Sequence, residues 1–314
     1  MPTADGFRRF AATEACGESP CYEEWALGVA ADPEVVALLD ALPEPKRQPN
    51  LVFTAARYAG IPAGPYRTFR EALLAEWATI SEVMLARRTQ TNEPGRCAVL
   101  LPLLAALPPP LALLEVGASA GLCLFPDRYS YRYDDRPVLG DGAVVLGCNT
   151  TGPVPFPAAV PEVAWRAGVD LNPLDVNDSG DVRWLETLIW PEHDHRRARL
   201  AAALEVVRAN PPRIVTGDLN EKVAALAAEA PADATLVIFH SAVLVYLSQA
   251  ERAAFAATVR RLGAHWITNE GSGVLPVTAP PSPTPDKALF VVTMDGVPVA
   301  HAAGHGHTLH WLPT

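Results

Sequence analysis

Along the first 107 residues, apolar positions recur at helical spacing. Phe7, Phe10 and Ala11 open one amphipathic segment, and Tyr22, Trp25, Leu27 and Val29 carry the next. Asp32-Pro33 predicts a helix start, an N-cap followed by Pro at the first helical position, ahead of EVVALLDAL. A short helix is predicted over 50–58. A longer one is predicted over 68–88, where Phe69, Leu73, Trp77, Ile80 and Met84 fall on one face. That stripe is read as core. Beyond Pro108–Pro110 the pattern changes, and short apolar runs alternate with amphipathic helical stretches. Strands are predicted at 111–116, 165–170, 213–218, 236–240 and 265–271, with helices at 181–192, 195–210, 221–230 and 251–263. After the Pro-rich 280–285 loop, 289–312 predicts a hairpin around Asp295-Gly296. Residues 129–161 predict a further hairpin, with turns at Asp134-Asp135 and Gly140-Asp141-Gly142.

These elements predict an α/β fold. It is a Rossmann-like, doubly wound, mostly parallel sheet with an N-terminal helical cap segment and a C-terminal antiparallel hairpin. The expected division is 1–107 for the cap and 108–314 for the sheet domain, with 129–161 as an insertion.

Composition narrows the functional classes. A net charge of −10 without blocks of like charge disfavours a duplex nucleic-acid surface. Five cysteines, with no C-x-x-C pair, argue for reduced thiols rather than a disulfide framework. The N-terminus lacks a signal-type apolar core, and no run is long enough to span a membrane, so a cytoplasmic protein is expected. The expected partner is a small-molecule substrate, with no nucleic acid and no membrane. Oligomeric state is left open.

The candidate chemistry centres on LALLEVGASAGLCL, 111–124: a buried strand, a small-residue turn, and an expected helix start that would aim N–H groups at a ligand. Polar residues also close the other predicted strands: Asp170, Asp218, His240-Ser241 and Asn269-Glu270. In doubly wound sheets, ligands bind beyond such strand ends. Arg88, Thr89, Gln90, Thr91, Asn92, Glu93 and Arg96 form a polar cluster just upstream. It either lines the ligand site or is a capping network in which Thr91 or Asn92 caps the next helix. His240 is the candidate general base, with Glu270 second. The plainer reading of His240 is a strand-end histidine bound to backbone. Tyr246 either packs or lines the substrate site. The histidines at 301, 305, 307 and 310 lack a metal-site motif, and no metal site is assigned.

Glu115 followed by Gly117 and Gly121 resembles the first motif of class I S-adenosylmethionine-dependent methyltransferases, and the resemblance covers roughly 111–270. It implies that Glu115, Gly117, Ala118 and Gly121 form the loop for the methionine part of the cofactor. It further implies Asp170 on the ribose, Asp218 beside the adenine, and the segment from His240 facing the substrate. Methylation of a small molecule on O or N is the activity implied. The whole chain also looks like a bacterial domain-of-unknown-function family grouped with these enzymes by fold. Two features depart from the motif. Ser119 stands where glycine is usual, at little cost if its φ is negative and with strain if positive. About 45 residues separate Gly121 from the next strand of the motif series.

Gly117-Ala-Ser119-Ala-Gly121 is also a Gly-x-Ser-x-Gly, resembling the nucleophile elbow of α/β-hydrolases, so an esterase using Ser119 is the alternative. Against it, everything upstream reads as helical, and Glu115 would bring a carboxylate to the oxyanion hole. A non-catalytic cofactor-binding protein is the third reading.

Overall fold

The computed structural model describes residues 2–284 and 289–313. Pro285, at the end of the Pro-rich loop, lies outside the described residues. The chain forms two compact units: Met1–Thr91 with Asp178–Ala198, and Asn92–Asn177 with Arg199–Thr314. The second unit thus begins at Asn92, well before the 107/108 boundary expected from the Pro triplet.

The first unit is helical throughout, as its 3.6-residue pattern predicts. Asp32 caps the helix Pro33–Asp40, accepting from the Glu34 and Val35 N–H groups. Phe69 stacks on Trp25 at 4.0 Å between ring centroids, and Phe53 meets both edge-on. The helix predicted over 68–88 is broken at Glu76 into Tyr66–Ala75 and Trp77–Ala86. The break shifts the stripe's phase, so Phe69, Leu73, Ile80 and Met84 are buried while Trp77 is half-buried.

The second unit carries a ten-stranded sheet: β1 (Leu111–Val116), β2 (Ser130–Tyr133), β3 (Val145–Thr151), β4 (Val163–Asp170), β5 (Arg213–Thr216), β6 (Thr235–Ser241), β7 (His265–Gly271), β8 (Phe290–Met294), β9 (Val297–Ala302) and β10 (Thr308–Trp311). Their order is β2-β3-β10-β9-β8-β7-β6-β1-β4-β5. The block β7-β6-β1-β4-β5 is parallel. Successive strands run outward from β1 on one side and then return to β6 on the other, so the switch point lies at β1. The apolar runs of β1, β6 and β7 are buried, as strands covered on both faces require, while β5 at the edge is not.

The C-terminal hairpin forms where Asp295-Gly296 predicts it. Both turn residues have positive φ, 53° and 84°, the requirement of a type I′ turn. β9 then pairs antiparallel with β10, extending the hairpin by a strand. The hairpin expected within 129–161 is corrected. β2 and β3 run parallel. Two turns reverse the chain twice: Leu139 first returns antiparallel to Tyr131, then Gly140–Gly142 sends the chain back. Among the described residues no helix is long and apolar enough to cross a membrane.

Candidate ligand site at the switch point of the sheet

Beyond β1 the chain turns through Gly117 (φ 72°), Ser119 (φ 50°) and Gly121 (φ 75°). The expected helix does not follow. A single 3₁₀ turn, Leu122–Leu124, is all that forms. Pro126 explains this, since it disfavours helical geometry at Phe125 and has no N–H to continue a ladder. Most of the turn's amides are already bonded. Gly117 and Ala118 N–H donate to Val169 O, Ser119 N–H to Asp170 Oδ2, Gly121 N–H to Ala118 O, and Leu122 N–H to Asn92 Oδ1.

The glycine and small-residue positions have packing reasons. A Cβ on Gly117 would lie 2.3 Å from Val243 Cγ2, so the loop after β6 closes directly over the turn. Ala118 leaves no room for a side chain at Gly168. In the same loop Ala242 has φ 58°. Two non-glycine residues at positive φ, Ser119 and Ala242, therefore end the adjacent strands β1 and β6. Such strain costs of order 1–2 kcal/mol each and concentrates at functional sites.

Side chains alternate faces along a strand, so the predicted strand-end residues divide into two groups. Glu115, Ser241 and Asn269 share one face, and Asn269 Nδ2 donates to Ser241 Oγ at 2.9 Å. The segment before the first strand lies on this face. Glu93 caps its own 3₁₀ turn through Gly95 N–H and pairs with Arg199 at 2.9 Å. Glu93, rather than Thr91 or Asn92, is thus the cap, and Asn92 holds the exit of the glycine turn. Arg96, the last member of that polar cluster, is buried here. It donates to Ser241 O and Gly304 O and makes no carboxylate ion pair among the described residues. Glu115 is 5% exposed, and its Oε2 has no hydrogen-bond partner. Burial pushes its carboxyl well above the ordinary range, with Cys123 and Asp170 adding to the shift and Arg96 opposing it. Asn269 Oδ1 is likewise buried without a partner.

His240 and Glu270 occupy the opposite face, within a different network. Trp266 Nε1 donates to His240 Nε2 at 3.0 Å, which leaves Nδ1 as the protonated nitrogen. Nδ1 donates to Glu270 Oε1 at 2.7 Å, and that oxygen also accepts from Val243 and Leu244 N–H. Both ring nitrogens are engaged and the ring is fully buried, so His240 presents no free ring nitrogen in this arrangement. The plainer reading had it on backbone; its partners are side chains. Trp266 is the member of this network that sequence reasoning missed.

Asp170 closes β4 and accepts from Ser119 N–H and Asn172 N–H, both at 2.8 Å. Asp218 caps the helix Leu219–Ala227 through Asn220 N–H. Tyr246 is 64% exposed and packs into neither site. Arg88 and Thr91 belong to the helical unit. The strand ends at the switch point therefore carry two acids, Glu115 and Asp170, beside Arg96, Ser241 and Asn269, and no helix starts directly after β1.

Residues 4–311 match the family described as "Uncharacterized protein conserved in bacteria (DUF2332)", and the chain belongs to that family. No curated protein and no solved structure matches it.

Proposed function

We propose that the sheet unit binds S-adenosylmethionine at the switch point and passes its methyl group to a small molecule. The observation that carries this reading is the buried Glu115 carboxyl beside the glycine turn, with Oε2 lacking a partner. A sulfonium and ammonium ligand brings positive charge that a carboxylate complements. Glu115 would face the cationic part of the ligand. Asp170, fixed by two amides, would receive the ribose hydroxyls, and Asp218 would stand beside the adenine. The bound cofactor supplies an electrophilic methyl carbon. The protein's part is alignment of the acceptor and exclusion of water. No base is assigned, because His240 and Glu270 lie on the other face of the sheet.

Calorimetry with S-adenosylmethionine and its demethylated product tests the proposal. Saturable binding is expected, at least tenfold weaker in Asp170→Asn. Because a cation favours the ionised form of Glu115, binding should release a proton and tighten as pH rises. Absence of binding by both compounds to folded protein overturns the reading.

One observation favours the esterase alternative: Ser119 has the positive φ of a strained elbow. The helix that normally follows an elbow is missing. An esterase would be labelled at Ser119 by a fluorophosphonate, and unlabelled folded protein removes this reading.

A further inference from the structure

On the Glu270 face of the sheet, beneath the segment 271–282, lies a cavity of about 560 Å³. That is within the range of small-molecule sites. Leu275, Val277 and Val291 give it apolar walls, and Glu270, Thr293 and His301 line it among the polar groups. Most of those polar groups are spoken for. Thr293 Oγ1 is hydrogen-bonded to Thr268 Oγ1, and His301 Nε2 lies 2.9 Å from Pro280 O. Glu270 differs. Its Oε1 takes three donors, while Oε2 is buried with no partner, in a residue only 2% exposed.

No lysine or arginine lines the cavity among the described residues. Arg252, on the helix Gln249–Leu262, donates instead to the carbonyls of Leu244, Val245 and Val274. It pins the loops after β6 and β7 without neutralising Glu270. A buried carboxylate oxygen left without a donor is costly. The three donors on Oε1 outweigh burial and hold Glu270 below the ordinary carboxylate range.

We propose that this cavity is a binding site for a small primary or secondary amine, its ammonium group paired with the Glu270 carboxylate and its apolar body lying against Leu275, Val277 and Val291. The site is separate from the one at the glycine turn and does not rest on the methyltransferase reading.

Titration of the full-length protein with n-butylamine and benzylamine, against n-butanol and benzyl alcohol as neutral counterparts, tests it by calorimetry. Saturable amine binding is expected, at least tenfold tighter than that of the alcohols. Glu270→Gln keeps an oxygen for the three donors and should weaken amine binding at least tenfold. Ala279→Trp, which fills the cavity from the covering segment, should abolish it and serves if Glu270→Gln does not fold. Asp170→Asn should leave it within twofold, which separates this site from the cofactor site. Equal binding of amines and alcohols, no amine binding at millimolar concentration, or unchanged binding in folded Glu270→Gln overturns the proposal.

Discussion

Glu115 and Glu270 end two parallel strands separated only by β6, and they face opposite sides of the sheet. Both are almost fully buried, and each keeps one oxygen without a partner. Their acidities nevertheless move in opposite directions. Burial dominates at Glu115 and pushes its carboxyl well above the ordinary range. At Glu270 burial also pushes upward, but His240 and the Val243 and Leu244 N–H groups together reverse it. Burial alone therefore does not set a strand-end carboxyl's charge. The donors that a neighbouring loop can bring decide it. The loop 242–244 turns its amides to Glu270 and its Val243 side chain to Gly117, so one segment settles one acid and leaves the other unsettled.

The largest effect should come from removing the settled member. Glu270→Leu leaves His240 Nδ1–H and two amides buried without an acceptor, and should cost about 3–5 kcal/mol in urea unfolding. A loss below about 1 kcal/mol would mean that these donors find water. Acid should reproduce part of this in the wild type. Glu270's contribution is complete above the ordinary value of 4.5 and is lost as pH falls through its lower native value.

Glu115→Gln should act with the opposite sign. Above pH 4.5 the unfolded chain releases a proton that folded Glu115 retains. Wild-type stability therefore falls with rising pH, at up to about 1.4 kcal/mol per pH unit. The variant should match the wild type near pH 4.5 and exceed it at neutral pH. Parallel stability profiles would show that Glu115 ionises normally. The smallest effect belongs to the backbone. Ala242→Gly should relieve the positive φ and raise stability by up to about 1 kcal/mol, and a clear loss in thermal melting would contradict the strain.

Much of the fold was legible. The apolar runs, the Asp295-Gly296 turn and the Asp32 cap each have a local cause, and the structure forms each of them. Two failures came from signals present but unweighted. Pro126 forbade a helix after the glycine turn, and the second turn at Gly140–Gly142 undid the reversal made by the first. The site was harder. Ser241 next to His240, and Asn269 next to Glu270, were read as one strand-end set, although period-two alternation sends neighbours to opposite faces. The Trp266–His240–Glu270 chain joins residues on two strands, and only register reveals such a join. Arg96 was visible as a residue, but its burial depends on carbonyls at Ser241 and Gly304, far along the chain.

The pairing of β3 with β10 also has a consequence for biosynthesis. β3 is complete at Thr151, yet the strand that covers its inner edge begins at Thr308. While the intervening chain is being made, β2 and β3 carry an open edge of unpaired N–H and C=O groups, a template for wrong pairing. That edge closes only once β10, Thr308–Trp311, pairs with β3.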